Sequence, residues 1–307
     1  GSADTLVFVS DRARDDGVPY SRIGLLLSDD PETSLLRDAR AHRIEWLTPE
    51  GVESFDPQWS PDGERIAYRH GHAALAVMDA DGDDREILYE GWDSPQFSWS
   101  PDSRWLAYAA ATGPAFNTDV WLVPADGGEA VNVSQHPDYD YGPVWNESGS
   151  MLAWTSRRFG NQSDVVFCYL TRADDERSEE QWKIWEKTRD DAPGDGEADA
   201  DAGEDGEDGE EVAEEEAITI DLEDIHLRVR RLTNLPGDES VVAIHPQGDR
   251  IAFGATVGGE RDLYAVDRFG EDLEPLTRGG TGSQAARLGP DGKQVWLLAK
   301  GRPANVA

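Results

Sequence analysis

The chain has 307 residues, with 63 Asp and Glu against 28 Lys and Arg, a formal net charge of −35 at pH 7. That balance excludes unaided binding to nucleic acid, whose phosphates need basic side chains to displace counterions, and no apolar run approaches the roughly 18 residues that cross a bilayer. Eleven Trp within a 38% hydrophobic composition supply a core for one large β domain, and the single cysteine, Cys168, has no intrachain partner and reads as a small buried hydrophobe in a strand.

Residues 5 to 48 read as three strands: Thr5 to Arg12, Ile23 to Leu27 and Arg43 to Thr48. A sentence then begins to recur. Trp59-Ser60-Pro61-Asp62-Gly63-Glu64-Arg65-Ile66-Ala67-Tyr68 is echoed by Trp99-Ser100-Pro101-Asp102-Ser103-Arg104-Trp105-Leu106-Ala107-Tyr108 and, more loosely, from Trp145 to Trp154, His245 to Phe253 and Gly289 to Leu297. Each copy is a strand, a Pro-Asp-Gly type turn and a second strand, at a period of about 40 to 46 residues outside one interruption. Third strands follow at Leu75 to Asp79, Asp119 to Val123, Asp164 to Phe167 and Asp262 to Val266. Fourth, edge strands follow at Arg85 to Leu88, Val131 to Ser134, Arg231 to Asn234 and Glu274 to Thr277. Four antiparallel strands per unit, repeated, predict an all-β fold, a β-propeller of five to six blades; a β-sandwich does not repeat one turn at a fixed interval.

The first unit lacks a first strand and the last, Ser283 to Leu298, shows only a first and a second. Either the C-terminal strands complete the first blade or residues 1–307 are a segment of a longer propeller. The opening Gly1-Ser2 has the look of a cloning scar and favours the second.

The interruption spans residues 171–228. Its first part, about 175–189, carries helix formers with Trp182 and Trp185 three apart on one face, so it predicts a helical arm whose tryptophans cap a neighbouring blade or dock another domain. From about 190 to 217 it is Gly, Asp and Glu of low complexity and predicts a disordered acidic loop. Order resumes with Ile220-Asp221-Leu222-Glu223-Asp224-Ile225-His226-Leu227-Arg228-Val229-Arg230-Arg231-Leu232-Thr233-Asn234.

That segment, together with Asn117-Thr118-Asp119-Val120-Trp121-Leu122-Val123-Pro124 and Val131-Asn132-Val133-Ser134-Gln135-His136-Pro137-Asp138, resembles the N-terminal propeller region of bacterial tricorn-like serine peptidases, over roughly residues 95 to 305. The turn repeat alone is shared with TolB-like propellers and with propellers of prolyl-oligopeptidase relatives. The resemblance implies a protease parent in which propellers admit or select unfolded peptide, with PDZ-like and catalytic domains downstream, in a bacterial periplasm or otherwise exported, with the cytoplasm as the alternative because a single Cys is compatible with either compartment. The family's catalytic Ser and His have no counterpart here, so no catalytic residue is expected in this chain. A TolB-like module that binds a folded protein is the alternative.

The residues themselves carry little chemistry. No Gly-x-Ser-x-Gly and no phosphate-cradling loop occurs, so no cofactor is expected. His70 and His72 share a strand face without accompanying ligands and read as surface residues, so no metal is expected. Asp119, Asp164 and Asp262 recur at third-strand starts, where they are expected to bond backbone groups of their own blade. Functional candidates lie in the loops leading into first strands: Glu53-Ser54-Phe55-Asp56, Asp93-Ser94-Pro95-Gln96, Tyr139-Asp140-Tyr141-Gly142 and Asp238-Glu239-Ser240-Val241. Asp56, Asp93, Asp140 and Glu239, with Tyr141 beside them, would form an acidic channel rim that concentrates peptide N-termini and basic side chains, although acids make up about one residue in five here and their presence in four loops is unremarkable by number.

Overall fold

The computed structural model describes residues 4–11, 20–112, 117–190, 217–280, 287–288, 294–299 and 302–306. Six antiparallel sheets follow one another, each a meander in which chain neighbours pair. The first has three strands, β1 (Thr5–Ser10), β2 (Arg22–Ser28) and β3 (His42–Trp46). Four-stranded sheets follow: β4 (Ser54–Trp59), β5 (Arg65–His70), β6 (Ala74–Asp79) and β7 (Glu86–Glu90); β8 (Gln96–Trp99), β9 (Trp105–Thr112), β10 (Asn117–Pro124) and β11 (Val131–Asn132); β12 (Asp140–Trp145), β13 (Met151–Ser156), β14 (Asp164–Tyr169) and β15 (Arg230–Arg231); β16 (Glu239–Ile244), β17 (Arg250–Val257), β18 (Glu260–Asp267) and β19 (Glu274–Pro275). The sixth has β20 (Arg287–Leu288), β21 (Val295–Ala299) and β22 (Arg302–Val306), one strand more than the sequence predicts. Among the described residues its strands pair with one another and not with β1, so the described C-terminal strands form a sheet of their own.

The repeated turn works through its first polar residue. Ser60 Oγ donates to Asp62 and accepts from Arg65 N at 2.9 Å, and Ser100 repeats this with Asp102 and Trp105 N. In the third copy Asn146 Oδ1 takes the serine's place, accepting from Ser150 N and Met151 N at 3.0 and 2.8 Å. Gly63, Gly149 and Gly248 sit at φ between 65° and 78°, where a β-carbon is strained, which is why the turn favours glycine.

Five apolar clusters hold the sheets together, and each draws on two successive sheets: Ile23 and Leu25 with Ile66 and Met78, Leu75 with Phe97 and Leu106, Val120 and Leu122 with Leu152 and Trp154, Phe167 and Tyr169 with Ile251 and Phe253, and Leu263 with Val295. The turn tryptophans add a polar stitch. Trp99 Nε1 donates to Gln58 O at 3.1 Å and Trp145 Nε1 to Ser98 O at 3.3 Å, so first strands of successive sheets lie side by side as a hub. Trp99→Phe or Trp145→Phe keeps most of the ring area but leaves a hub carbonyl without its donor. Each is expected to cost about 1 kcal/mol in urea unfolding.

Antiparallel pairing sends the repeated turns and the third-to-fourth connections to one end of every sheet, and the loops leading into first strands to the other. The insertion joins β14 to β15, a third-to-fourth connection, and belongs to the turn end. It contains α1 (Arg172–Asp175), capped by Thr171, and α2 (Glu179–Asp190). A reciprocal pair starts α2: Ser178 Oγ accepts from Gln181 N and Gln181 Oε1 accepts from Ser178 N, satisfying two orphan donors. The expected acidic loop falls almost wholly in 191–216, outside the described residues.

Candidate functional site

At the lead-in end the four candidate carboxylates occupy different surroundings. Ser54, Asp140 and Glu239 are equivalent, each the first residue of its strand and each followed by a bulge, at Phe55/Gln58, Tyr141/Val144 and Val241/Ala243. Strand alternation turns this first position into the blade interior: Asp140 is 0% and Glu239 1% exposed. Asp56 falls on the bulge itself, exposed at φ 48° and paired with Arg69 at 2.8 Å. Asp93 precedes its strand and accepts from Ala111 N at 3.0 Å. Tyr141 is half-buried and its hydroxyl donates to or accepts from Ser163 Oγ at 3.1 Å. The acids therefore do not stand at one level around the hub. Two belong to blade boundaries, and the solvent-facing acid among the four is Asp56.

Each buried acid sits beside a hydroxyl, Ser134 or Thr233, that lies two residues beyond the preceding fourth strand. Ser134 Oγ donates to Asp119 Oδ1 at 2.8 Å and accepts from Val120 N, while Asp140 accepts from Trp154 Nε1 at 2.9 Å and has Arg158 Nη2 at 3.5 Å. One blade on, Thr233 Oγ1 accepts from Val165 N at 2.9 Å, Asp164 pairs with Arg231 at 2.8 Å, and Glu239 accepts from Leu235 N at 2.6 Å. Burial pushes the Asp140 carboxyl above its ordinary range, and burial pushes Glu239 up to about 6. Asp119 and Asp262 serve their own blades as the sequence leads one to expect, accepting from His136 N and Gly280 N. Thr277 donates to Asp262 at 3.0 Å. The six-residue spacing Thr48 to Ser54, Ser134 to Asp140 and Thr233 to Glu239 is the signal in the sequence that marks these boundaries.

At the turn end the insertion is fastened across three blades. Trp182, 3% exposed, stacks on Tyr169 with ring centroids 5.2 Å apart, between the guanidiniums of Arg177 at 4.1 Å and Arg268 at 3.9 Å. Arg268, its side chain 1% exposed, pairs with Glu186 of α2 at 3.0 Å, and Arg189 reaches Asp249 at 3.7 Å. Trp182 thus caps the neighbouring blade. Trp185 packs edge-on against it at 5.4 Å and stays 37% exposed beside Ile184, 59% exposed. The other root is held by Ile218 N, which donates to Asp102 Oδ2 at 2.9 Å, and by Arg228. That buried guanidinium donates to Tyr169 O at 3.2 Å, Leu170 O at 3.3 Å, Glu223 O at 3.4 Å and Asp221 O. The charged exit segment is structural, a clasp that reads main-chain carbonyls.

Among the described residues no group of three or more His, Cys, Asp and Glu is placed to hold a metal ion. His70 lies edge-on to Tyr68 at 6.1 Å while His72 stacks on Phe55 at 6.3 Å, so the two rings have different partners. The Cys168 thiol is buried and pushed up to about 12 by burial, an inert hydrophobe. No helix among the described residues is long and apolar enough to cross a membrane.

Four-stranded antiparallel blades stitched at a hub define a β-propeller. No known family profile matches the chain. It is 27% identical over 101 residues to a tricorn protease homolog of Saccharolobus solfataricus, a stretch that covers 32% of this chain and 9% of that protein. It is 32% identical over 94 residues to the Tol-Pal system protein TolB of Anaeromyxobacter dehalogenans, covering 29% of this chain and 21% of TolB. Among solved structures, the crystal structure of the tricorn protease matches 99% of this chain at a TM-score of 0.68 and 14% identity, and the match takes up 28% of that protein. The matched stretches thus span well under a third of each relative.

Proposed function

We propose that this chain is the non-catalytic propeller of a tricorn-like serine peptidase, acting as a scaffold between domains and handling unfolded peptide on its way to a catalytic domain elsewhere in the polypeptide. The observation that carries this reading is the sequence likeness to a tricorn protease homolog, joined to a fold match over nearly the whole chain. PDZ-like and peptidase domains are the partners it implies, and export to the periplasm goes with it. The exposed flank of α2, Trp185 and Ile184, suits contact with such a domain. At the opposite end, Asp56 and Asp93, with Phe55 and Tyr139 nearby, are the side chains that would meet a basic peptide terminus.

The test is cleavage of an unfolded protein by the longest natural polypeptide that contains this propeller. Activity that disappears with the downstream domains and falls when the propeller is removed supports the reading; a polypeptide without peptidase activity sinks it. Within an active protein, Asp56→Asn with Asp93→Asn is expected to raise KM for basic peptides about 3-fold to 10-fold with kcat unchanged, from the loss of about 0.7–1.4 kcal/mol of rim attraction. Equal KM values for the variant and the parent would remove the rim from the mechanism. The likeness to TolB favours a second reading, a propeller that docks a folded protein and ignores short peptides.

A further inference from the structure

The boundary between the third and fourth blades and that between the fourth and fifth are built to one plan. At each, a carboxylate near the start of a third strand and the carboxylate opening the next blade's first strand flank a Ser or Thr hydroxyl, and an arginine pairs with one of the two. The sets are Asp119, Ser134, Asp140 and Arg158, and Asp164, Thr233, Glu239 and Arg231. All four carboxylates are at least nine-tenths buried. Among the described residues, one oxygen of each blade-opening acid, Asp140 Oδ2 and Glu239 Oε2, lacks a hydrogen-bond partner.

The charge count is unfavourable in both places: of two buried carboxylates one is ion-paired with an arginine, leaving a surplus negative charge in a low-dielectric boundary. We propose that each of these two boundaries is a proton-binding site, at which Asp140 and Glu239 take up a proton in mildly acidic solution and the blades lock together more tightly. The boundary between the first two blades fits this division. Between the first two blades the equivalent positions hold Arg22, Thr48 and Ser54, with Arg22 bonded to Thr48 O at 3.0 Å, so no carboxylate pair and no proton site is formed.

At both sites burial sets the direction, against neighbours most of which favour the charged form. Asp140 faces Arg158, Trp154 and the Ser134 and Ser156 hydroxyls, and burial outweighs them. Glu239 faces Thr233, Leu235 N, the Arg231 guanidinium and the Asp164 carboxylate, whose charge adds to the effect of burial. A carboxyl that binds its proton more tightly folded than unfolded adds stability as pH falls through its folded value, about 6 for Glu239, and withdraws it as pH rises.

The experiment is thermal unfolding from pH 5 to pH 8 of the parent, Glu239→Gln, Asp140→Asn and the control Ser54→Ala. Glu239→Gln is expected to melt about 2–4 °C above the parent at pH 8, and this gap is expected to close by pH 5, where the parent carries its own proton. Ser54→Ala is expected to shift the midpoint equally at every pH. A pH-independent gap for both acid variants, or variants that melt below the parent at pH 8 as well as at pH 5, overturns the proposal. Infrared spectra of the parent supply a readout that does not depend on the variants' stability. A protonated-carboxyl band that persists to pH 6 and is lost from either variant that folds supports the sites, and no such band in the parent at pH 5.5 refutes them.

Discussion

Trp182→Ala is expected to destabilise the protein by about 3–5 kcal/mol, the range for removing a buried aromatic side chain. The indole fills the space between Tyr169, Arg177 and Arg268, so its loss opens a cavity under α2 and strips two guanidiniums of the ring they lie on. Arg268 suffers most, because its side chain is 1% exposed and would keep Glu186 as its remaining charged partner. Trp182→Phe is expected to cost less than about 1.5 kcal/mol, since it retains an aromatic ring in the same slot and Trp182 Nε1 has no hydrogen-bond partner to lose among the described residues. Trp185→Ala, on the exposed side, is expected to leave unfolding within about 1 kcal/mol of the parent. Guanidinium chloride titration followed by circular dichroism separates these cases. A large loss at Trp185 and none at Trp182 would reverse the roles assigned to the two rings.

Arg228→Met is the second large effect, about 2–4 kcal/mol. Methionine keeps much of the arginine's apolar stem, so the cost isolates the guanidinium. Without it, the carbonyls of Tyr169, Leu170, Asp221 and Glu223 lose donors at once, inside a boundary where water has little access. Hydrogen exchange gives a local readout: the amide of Asp221, which donates to Leu170 O at 2.9 Å, is expected to exchange faster in the variant, while Leu122 and Val123 keep the parent's protection. Unchanged exchange at Asp221 would show that the exit segment is held by its apolar side chains alone.

The propeller was legible in the chain because its turn is local chemistry. A serine bonding the residue two ahead and the amide five ahead leaves the same sentence wherever it occurs, and even the Asn146 copy keeps the geometry with a different atom. Of the third-strand aspartates, Asp119 and Asp262 do accept from main-chain amides, while Asp164 pairs with the Arg231 side chain. The acidic rim was read from loops whose register is set by partners on another strand. By sequence Asp140 and Glu239 are the equals of Asp56, yet pairing with Ser156 and Ala255 places them at a buried position two residues before the bulge on which Asp56 sits. The spacing of Trp182 and Trp185 gave a common helix face; which of them is buried was decided by Tyr169 and Arg268, the second of them 86 residues away in the chain. The role of Arg228 is not legible in the sequence, because its partners include carbonyls 58 and 59 residues upstream that no side-chain pattern announces.

The insertion leaves the ring at Arg189, beside Asp249, and returns at Ile218, on Asp102, with both points fastened to blade turns. The 28 residues between them can change in number without altering either anchor, since doubling such a length costs only about 0.6 kcal/mol in closure entropy. For the lineage this is a place where mutation can add, delete or rewrite sequence almost without penalty to folding. For an experimenter it is a graft point: a tag or a small reporter domain set between those anchors is tethered at the turn end, opposite the loops that lead into first strands.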